Sequence, residues 1–116
     1  MSKSNMIQLS EFDITQKIIE SLSNVCTRAV LFSIKEESKD AAQIAEELKI
    51  SISTVYKTLS TLEDLALAEV DRYVISSEGK KIKIYRSRIG KVEITLDNLE
   101  PVLNLYPNIT NPKTSP

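Results

Sequence analysis

From Ser51 through Leu62 the chain carries no carboxylate, while Ser51, Ser53, Thr54, Tyr56, Lys57, Ser60 and Thr61 offer hydroxyls, a phenol and an ammonium. Such groups exchange hydrogen bonds with neutral and anionic partners, but they supply no nucleophile–base pair. Histidine is absent from all 116 residues, which removes the commonest general base and the commonest metal ligand. Gly79 and Gly90 are the only glycines, too few for a phosphate-cradling loop. The carboxylate pairs Glu36-Glu37, Glu46-Glu47 and Glu63-Asp64 fall on helix exteriors, where solvation accounts for them. These residues therefore predict no enzyme and no cofactor. The chemistry that remains is recognition. Small hydroxyls, one Tyr and one Lys suit a helix lying in a DNA major groove, with Ile52 able to touch a thymine methyl.

Those groups need a helix to hold them on one side. Val55, Leu59 and Leu62, continued by Leu65, recur at helical spacing and predict the opposite, buried face. Ser51 stands ahead of them as an N-cap. Upstream, Asp40 caps a shorter helix whose apolar positions are Ile44, Ala45 and Leu48, and Ile50 closes the turn between the two. On these residues alone, Ala41–Leu67 is a pair of short amphipathic helices that an ordinary helical hairpin would also produce.

The run IAEELKISISTVYKTLSTLEDLALAEV resembles the helix-turn-helix of winged-helix transcription regulators, particularly the ArsR-like and TrmB-like groups of archaea and bacteria. The small residue of the first helix is matched by Ala45, the buried aliphatic by Val55 and the following leucine by Leu59. The resemblance implies an α+β fold, mainly α: a winged helix-turn-helix of three to four helices plus a β-hairpin wing. It also implies double-stranded DNA as partner. One position departs from the pattern, since Lys49 stands where the turn usually has Gly. Either the turn is built differently or Lys49 carries the strain of a left-handed backbone. Many ArsR-like proteins sense metals through clustered Cys and His, a chemistry that one cysteine and no histidine cannot supply. No effector is implied.

At this length a single domain with one core is expected. Hydrophobic content of 41% and charged content of 27% are those of an ordinary globular chain. Cys26 has no partner for a disulfide and reads as a small buried hydrophobe. Neither a membrane-spanning run nor a signal-peptide core is seen, so a cytoplasmic protein is expected. Net charge is −1, yet Lys80, Lys81, Lys83, Arg86, Arg88 and Lys91 form a stripe with no acid between Lys80 and Val92. A near-neutral protein with one basic stripe has a directed electrostatic surface.

Along the chain, residues 1–9 are polar and expected to be flexible, and residues 10–97 form the winged domain. A first helix is predicted from Glu11 to Ser23, with Phe12, Ile14, Ile18, Ile19 and Leu22 as its apolar stripe. That stripe is either all intramolecular core or partly a surface for a second copy. A second helix is predicted from Val25 to Glu37, with Ala29, Val30, Phe32 and Ile34 as core. The segment LSNVCTRAVLFSIKEE is similar to the ArsR-like segment at this place, with Val25-Cys26 in place of a proline. The period then changes to two. Val70–Ile75, a turn at Ser76–Gly79 and Lys81–Arg86 form a hairpin, with Ile82 and Ile84 on an inner face and Lys81, Lys83 and Tyr85 outside. After a helix-turn-helix this is a wing, whose Lys80, Lys81, Lys83, Arg86 and Arg88 would meet phosphates. A charged strand that merely discourages edge aggregation is the plainer reading. Val92, Ile94 and Leu96 predict a further strand extending that sheet. Residues 98–106 are expected to be a short helical or turn segment for dimerisation containing Leu99, Val102, Leu103 and Leu105, and 107–116 a disordered tail. Phe12, Ile14, Ile18 and Leu22, with Val102, Leu103 and Leu105, are thus the expected homodimer surface. A sequence-specific regulator is the first functional expectation, and a winged-helix protein–protein module within a larger assembly the second.

Overall fold

The computed structural model describes residues 14–109, in which helices precede two β-hairpins. The helices are α1 (residues 14–23), α2 (Val25–Ser33), α3 (Ala41–Leu48) and α4 (Ile52–Asp64). The strands are β1 (Ala68–Ile75), β2 (Lys81–Ser87), β3 (Ile89–Thr95) and β4 (Val102–Pro107). Phe12, the start of the first helix at Glu11, residues 1–9 and the tail beyond residue 109 lie outside the described residues. Among the described residues no helix is long and apolar enough to cross a membrane.

A single residue breaks α1 from α2. The Asn24 side chain accepts the Thr27 N–H at 3.1 Å and so caps α2, while the Arg28 guanidinium donates to the Leu22 carbonyl at 2.8 Å and closes α1. The second helix ends at Ser33, four residues earlier than its charged C-terminal sequence predicts. Past that point the backbone tightens: Ile34 N–H turns back to Leu31 O and Lys35 N–H to Phe32 O, both at 3.3 Å, while Lys39 Nζ takes the Ser33 carbonyl at 2.6 Å. The Ile34 and Lys35 carbonyls receive Ser87 N–H and Asn108 Nδ2, each at 3.0 Å. Phe32 is 37% exposed and is not core, whereas Val30, Leu31 and Ile34 are fully buried.

The helix-turn-helix is capped as expected. Asp40 and Gln43 form a reciprocal capping box on α3, and Ser51 accepts the Thr54 N–H at 3.2 Å to cap α4. Lys49 does sit in the left-handed region, at φ 60° and ψ 45°. Ile50 N–H then reaches back to the Ala45 carbonyl at 3.1 Å, a Schellman-type ending. The same device closes α4, where Ala66 has φ 60° and Leu67 N–H donates to Leu62 O at 2.8 Å. Neither position has the glycine that would adopt this backbone without cost, so tertiary packing of Ile50 and Leu67 holds both turns.

Ile44, Val55, Leu59, Leu62 and Leu67 meet Val30, Leu31 and Ile34 in one buried cluster, joined by Ile18 and Leu22 of α1 and by Tyr85 and Ile89. Each such aliphatic side chain contributes about 1.5–3 kcal/mol on burial. Cys26 lies half-buried against the same cluster.

The strands form two separate sheets, β1–β2 and β3–β4, both antiparallel. Residues 89–95 are therefore a strand, but they do not extend the wing. The predicted helical or turn segment at 98–106 is corrected to a loop and β4, which pairs Val92 with Leu105 and Ile94 with Leu103. Val102 to Tyr106 alternates at period two, and a partner strand was available a few residues upstream. Pro107 closes β4 and Asn108 donates to Arg88 O, Lys35 O and Ser87 O, so the expected disordered tail does not begin at Pro107. Gly90 makes the crossing possible, because a Cβ there would lie 3.0 Å from the Pro107 carbonyl oxygen.

Candidate nucleic-acid interface

The exposed face of α4 holds Ile52, Ser53, Thr54, Tyr56, Lys57, Ser60 and Thr61, directly opposite the buried Val55, Leu59 and Leu62. Ser51 is exposed at its start, and its hydroxyl contacts Ser53 and Thr54 at 3.2 and 2.8 Å. The cap thus orders the polar end of the helix before any partner arrives.

The wing is anchored to the same unit by its root. Lys39, just before α3, pairs in antiparallel fashion with Tyr85 of β2: Lys39 N–H donates to Tyr85 O at 3.0 Å and Tyr85 N–H to Lys39 O at 2.8 Å. Ser38 Oγ donates to the Asp71 carboxylate at 3.0 Å, tying β1 to the same loop. Tyr85 is only 4% exposed and belongs to the core. Its phenol is held above the usual 10.0, first by burial and then by Glu63, Tyr56 and Tyr73. This corrects the expected inside and outside of the hairpin. The face of β2 carrying Lys81, Lys83 and Tyr85 turns toward the helices, and Ile84 on the other face is buried outside the main cluster.

The consequence is a groove of ≈ 460 Å³ lined by Asp40 and Ala41 of the α3 start, by Tyr56 of α4 and by Lys80, Lys81, Lys83 and Tyr85 of the wing. Tyr56 brings the exposed face of α4 to the wing lysines across it. Exposed ammonium groups beside hydroxyls and a phenol, with Asp40 occupied as a cap, make a surface suited to an anionic, hydrogen-bonding polymer.

The basic stripe does not survive as one surface. Lys81 and Lys83 stand at odd offsets from Arg86 along β2, and strand alternation sends them to the opposite face, while Arg88 lies in the connection between β2 and β3. Arg86, whose side chain is 17% exposed, lies directly across from Glu69 and donates to it at 3.3 Å; Arg88 approaches the same carboxylate at 3.9 Å. Arg86 thus pairs with Glu69 at the wing root, on the face opposite Lys81 and Lys83. Lys91 lies on β3, 3.2 Å from Glu93 and over the Tyr106 ring. The parity of Lys81, Lys83 and Arg86 could have foretold their part of this split.

The expected dimer residues are also dispersed. Ile18 and Leu22 are buried in the chain's own core, so they are corrected from a free surface, whereas Ile14 is exposed. Leu103 and Leu105 share one face of the second hairpin with Val92 and Ile94, while Val102 is on the other face. Leu103 packs against the core; Ile94, Val102 and Leu105 are exposed.

Two wing residues went unnoticed in the sequence. Cross-strand partners share a face, so Ala68 and Val70 lie on the side of Ser87 and Tyr85. The register then slips at Asp71, and beyond it Tyr73 pairs with Lys83 and Ile75 with Lys81. Tyr73 and Ile75 thus join the lysine face. The Lys81 ammonium sits 4.4 Å from the Tyr73 ring centroid. Nothing in the alternation of β1 marks the slip.

No family model matches this chain. It is 34% identical over 92 residues to an uncharacterized HTH-type transcriptional regulator of Methanocaldococcus jannaschii, covering 79% of this chain and 92% of that protein. Among solved structures, two mutants of ZitR from Lactococcus lactis align over 75% of this chain and 62 and 66% of theirs, at 26 and 21% identity, each with a TM-score of 0.45. Similarity to the archaeal protein runs through almost its whole length, and the capped helix pair and hairpin wing are in place here, so the chain belongs to the HTH-type transcriptional regulators, a family without enzymatic activity, in their winged form.

Proposed function

We propose that this regulator binds double-stranded DNA sequence-specifically as a homodimer, with α4 in the major groove and the wing on the flanking backbone. The observation that carries the reading is the groove in which Tyr56, on the acid-free face of α4, stands with Lys80, Lys81 and Lys83 of the wing. Ile52, Ser53, Tyr56, Lys57 and Ser60 meet base edges, and Ser51 and Thr54 lie at the helix start, where backbone N–H groups favour a phosphate. The lysines neutralise phosphates on either side, with Arg88 at the wing root as an outer contact. Dimerisation is supported by the exposed Ile14 and by the apolar side of β3–β4, where Ile94 and Leu105 meet solvent. Pairing two copies doubles the phosphate contacts and matches a palindromic site.

Selection of duplexes from a random pool, followed by titration across salt, tests this. Lys81→Ala with Lys83→Ala is expected to weaken all sequences alike and flatten the log–log salt slope by about two. Tyr56→Ala is expected to keep the slope and lose about 1–3 kcal/mol of discrimination between selected and random duplexes. A double lysine variant with the wild-type slope would remove the wing from the interface. Recovery of no duplex at all would favour a winged-helix protein–protein module instead. Sedimentation should give a dimer for the wild type and a monomer for Ile94→Asp with Leu105→Asp; a wild-type monomer that binds selected DNA tightly would sink the dimer.

A further inference from the structure

The wing offers more to a partner than its lysines. Tyr73 is 49% and Ile75 67% exposed, a large phenol and a branched alkyl group held in water on an otherwise polar tip. Their own core does not need them there. Both stand on the helix-facing side of the hairpin, directly across from Lys83 and Lys81, and no acid shares that outer face. The resulting patch alternates apolar groups from β1 with ammonium groups from β2. Tyr73 also holds the Lys81 ammonium over its ring, so the cation is positioned before binding.

The neighbouring Arg72 looks like the better nucleic-acid ligand by charge. It lies on the far face, across from Ile84, and its guanidinium is 2.7 Å from the nearly buried Asp71 carboxylate. The register slip at Asp71 is what separates them. Without it, the alternation begun by Ala68 and Val70 would carry Arg72 and Val74 to the lysine side and turn Tyr73 and Ile75 away. Ser38 holds that bulge to the loop before α3, so the choice of face is tied to the position of the helix pair.

We propose that Tyr73 and Ile75 lie against the sugar edges of a DNA minor groove between phosphates held by Lys81 and Lys83, and that the Asp71 bulge selects them in preference to Arg72 and Val74. Duplex DNA is the occupant because the patch is bordered by cations and continues into the groove next to α4, and because apolar side chains on a cationic element are suited to the minor-groove wall. The inference rests on the DNA-binding reading above.

An alanine scan of the four consecutive residues tests it, using a duplex selected from a random pool and thermal unfolding as the check on folding. Tyr73→Ala and Ile75→Ala are each expected to weaken binding about tenfold, the scale of one good contact. Their salt slopes should stay at the wild-type value, because no counterion is released by an apolar contact. Arg72→Ala and Val74→Ala should bind within about twofold of wild type, and Tyr73→Phe should retain most of the affinity. A scan in which Arg72→Ala is the damaging change, or in which all four are alike, would overturn the assignment while wild-type binding left the regulator reading intact. Absence of DNA binding by the wild type would overturn both.

Discussion

The two hairpins are built alike and end in opposite situations. Each is an antiparallel ribbon with one register slip, at Asp71 in β1–β2 and at Gly90 in β3–β4. The wing has a third piece of backbone paired to its root through Lys39, and Tyr85 inserted in the core. The second hairpin is fixed at its root by Ser87, Gly90 and Asn108, but its outer part keeps Ile94, Leu99 and Leu105 in water. The described chain spans 57 × 26 × 25 Å with a radius of gyration of 16.4 Å, against about 13 Å for a compact domain of about 100 residues. A two-stranded ribbon is marginal unless something backs it. The wing is backed by its own helices and can spend its outer surface on polar contacts. The second hairpin lays Val92 and Leu103 against the core but leaves Ile94 and Leu105 of the same side in water, and this remainder is what the proposed dimer would bury.

The largest break in that comparison should come from its two tyrosines. Tyr85→Ala is expected to cost about 3–5 kcal/mol in denaturant unfolding, as a large aromatic is removed from a closed core. Tyr106→Ala, on the exposed polar side of β4, should stay within about 1 kcal/mol. Comparable losses would mean that the second hairpin is as deeply integrated as the wing.

The glycines separate next. Gly90→Ala should cost about 1–3 kcal/mol, because the added methyl meets backbone at 3.0 and 3.3 Å. Gly79→Ala should cost about 1 kcal/mol through its φ of 81° alone, with nothing within 4 Å of the new carbon. Asparagine, which tolerates a left-handed backbone, should rescue position 79 and not position 90 when thermal unfolding is measured.

Alkaline titration then compares the phenols. Both Tyr85 and Tyr106 are raised above 10.0, Tyr85 chiefly by burial and Tyr106 chiefly by its hydrogen bond to Glu93 at 2.8 Å. A phenol bound more tightly to its proton in the folded state contributes stability that is complete below 10.0 and is lost as pH rises through the raised value. Ultraviolet phenolate absorbance should show Glu93→Ala lowering the Tyr106 titration toward 10.0 and leaving that of Tyr85. The same bond lowers the Glu93 carboxyl, so its contribution holds above the ordinary 4.5 and disappears as pH falls below it.

The smallest effect is expected in the helix-turn-helix that both hairpins flank. Lys49→Gly should stabilise by about 0.5–1 kcal/mol in denaturant unfolding, relieving a left-handed Lys at some cost in chain entropy. A loss of stability would show that the Lys49 side chain contributes more than its backbone strain costs.

The helix pair was legible because its signals are local. Asp40, Ser51, and the spacing of Val55, Leu59 and Leu62 act within one or two turns of helix, and the wing's turn needs only Gly79 and alternation on each side. What failed had its cause elsewhere in the chain. The second helix stops at Ser33, whose carbonyl goes to Lys39 Nζ, while Ser87 and Asn108 dock on the Ile34 and Lys35 carbonyls, contacts invisible to any window on α2. Leu99, Val102 and Leu103 fit a helix stripe whereas Leu103 and Leu105 fit a strand face, and pairing with Ile94 and Val92 decided for the strand. Lys81, Lys83, Arg86 and Arg88 read as one stripe until strand parity and Glu69 divided them. Composition and local periodicity thus determined two capped amphipathic helices followed by a basic hairpin, and the resemblance of the Ile44–Val70 run identified them as a winged helix-turn-helix. Which residues of that hairpin face the recognition helix was decided by tertiary structure, because a one-residue slip at Asp71 reverses every side chain beyond it without altering the sequence pattern.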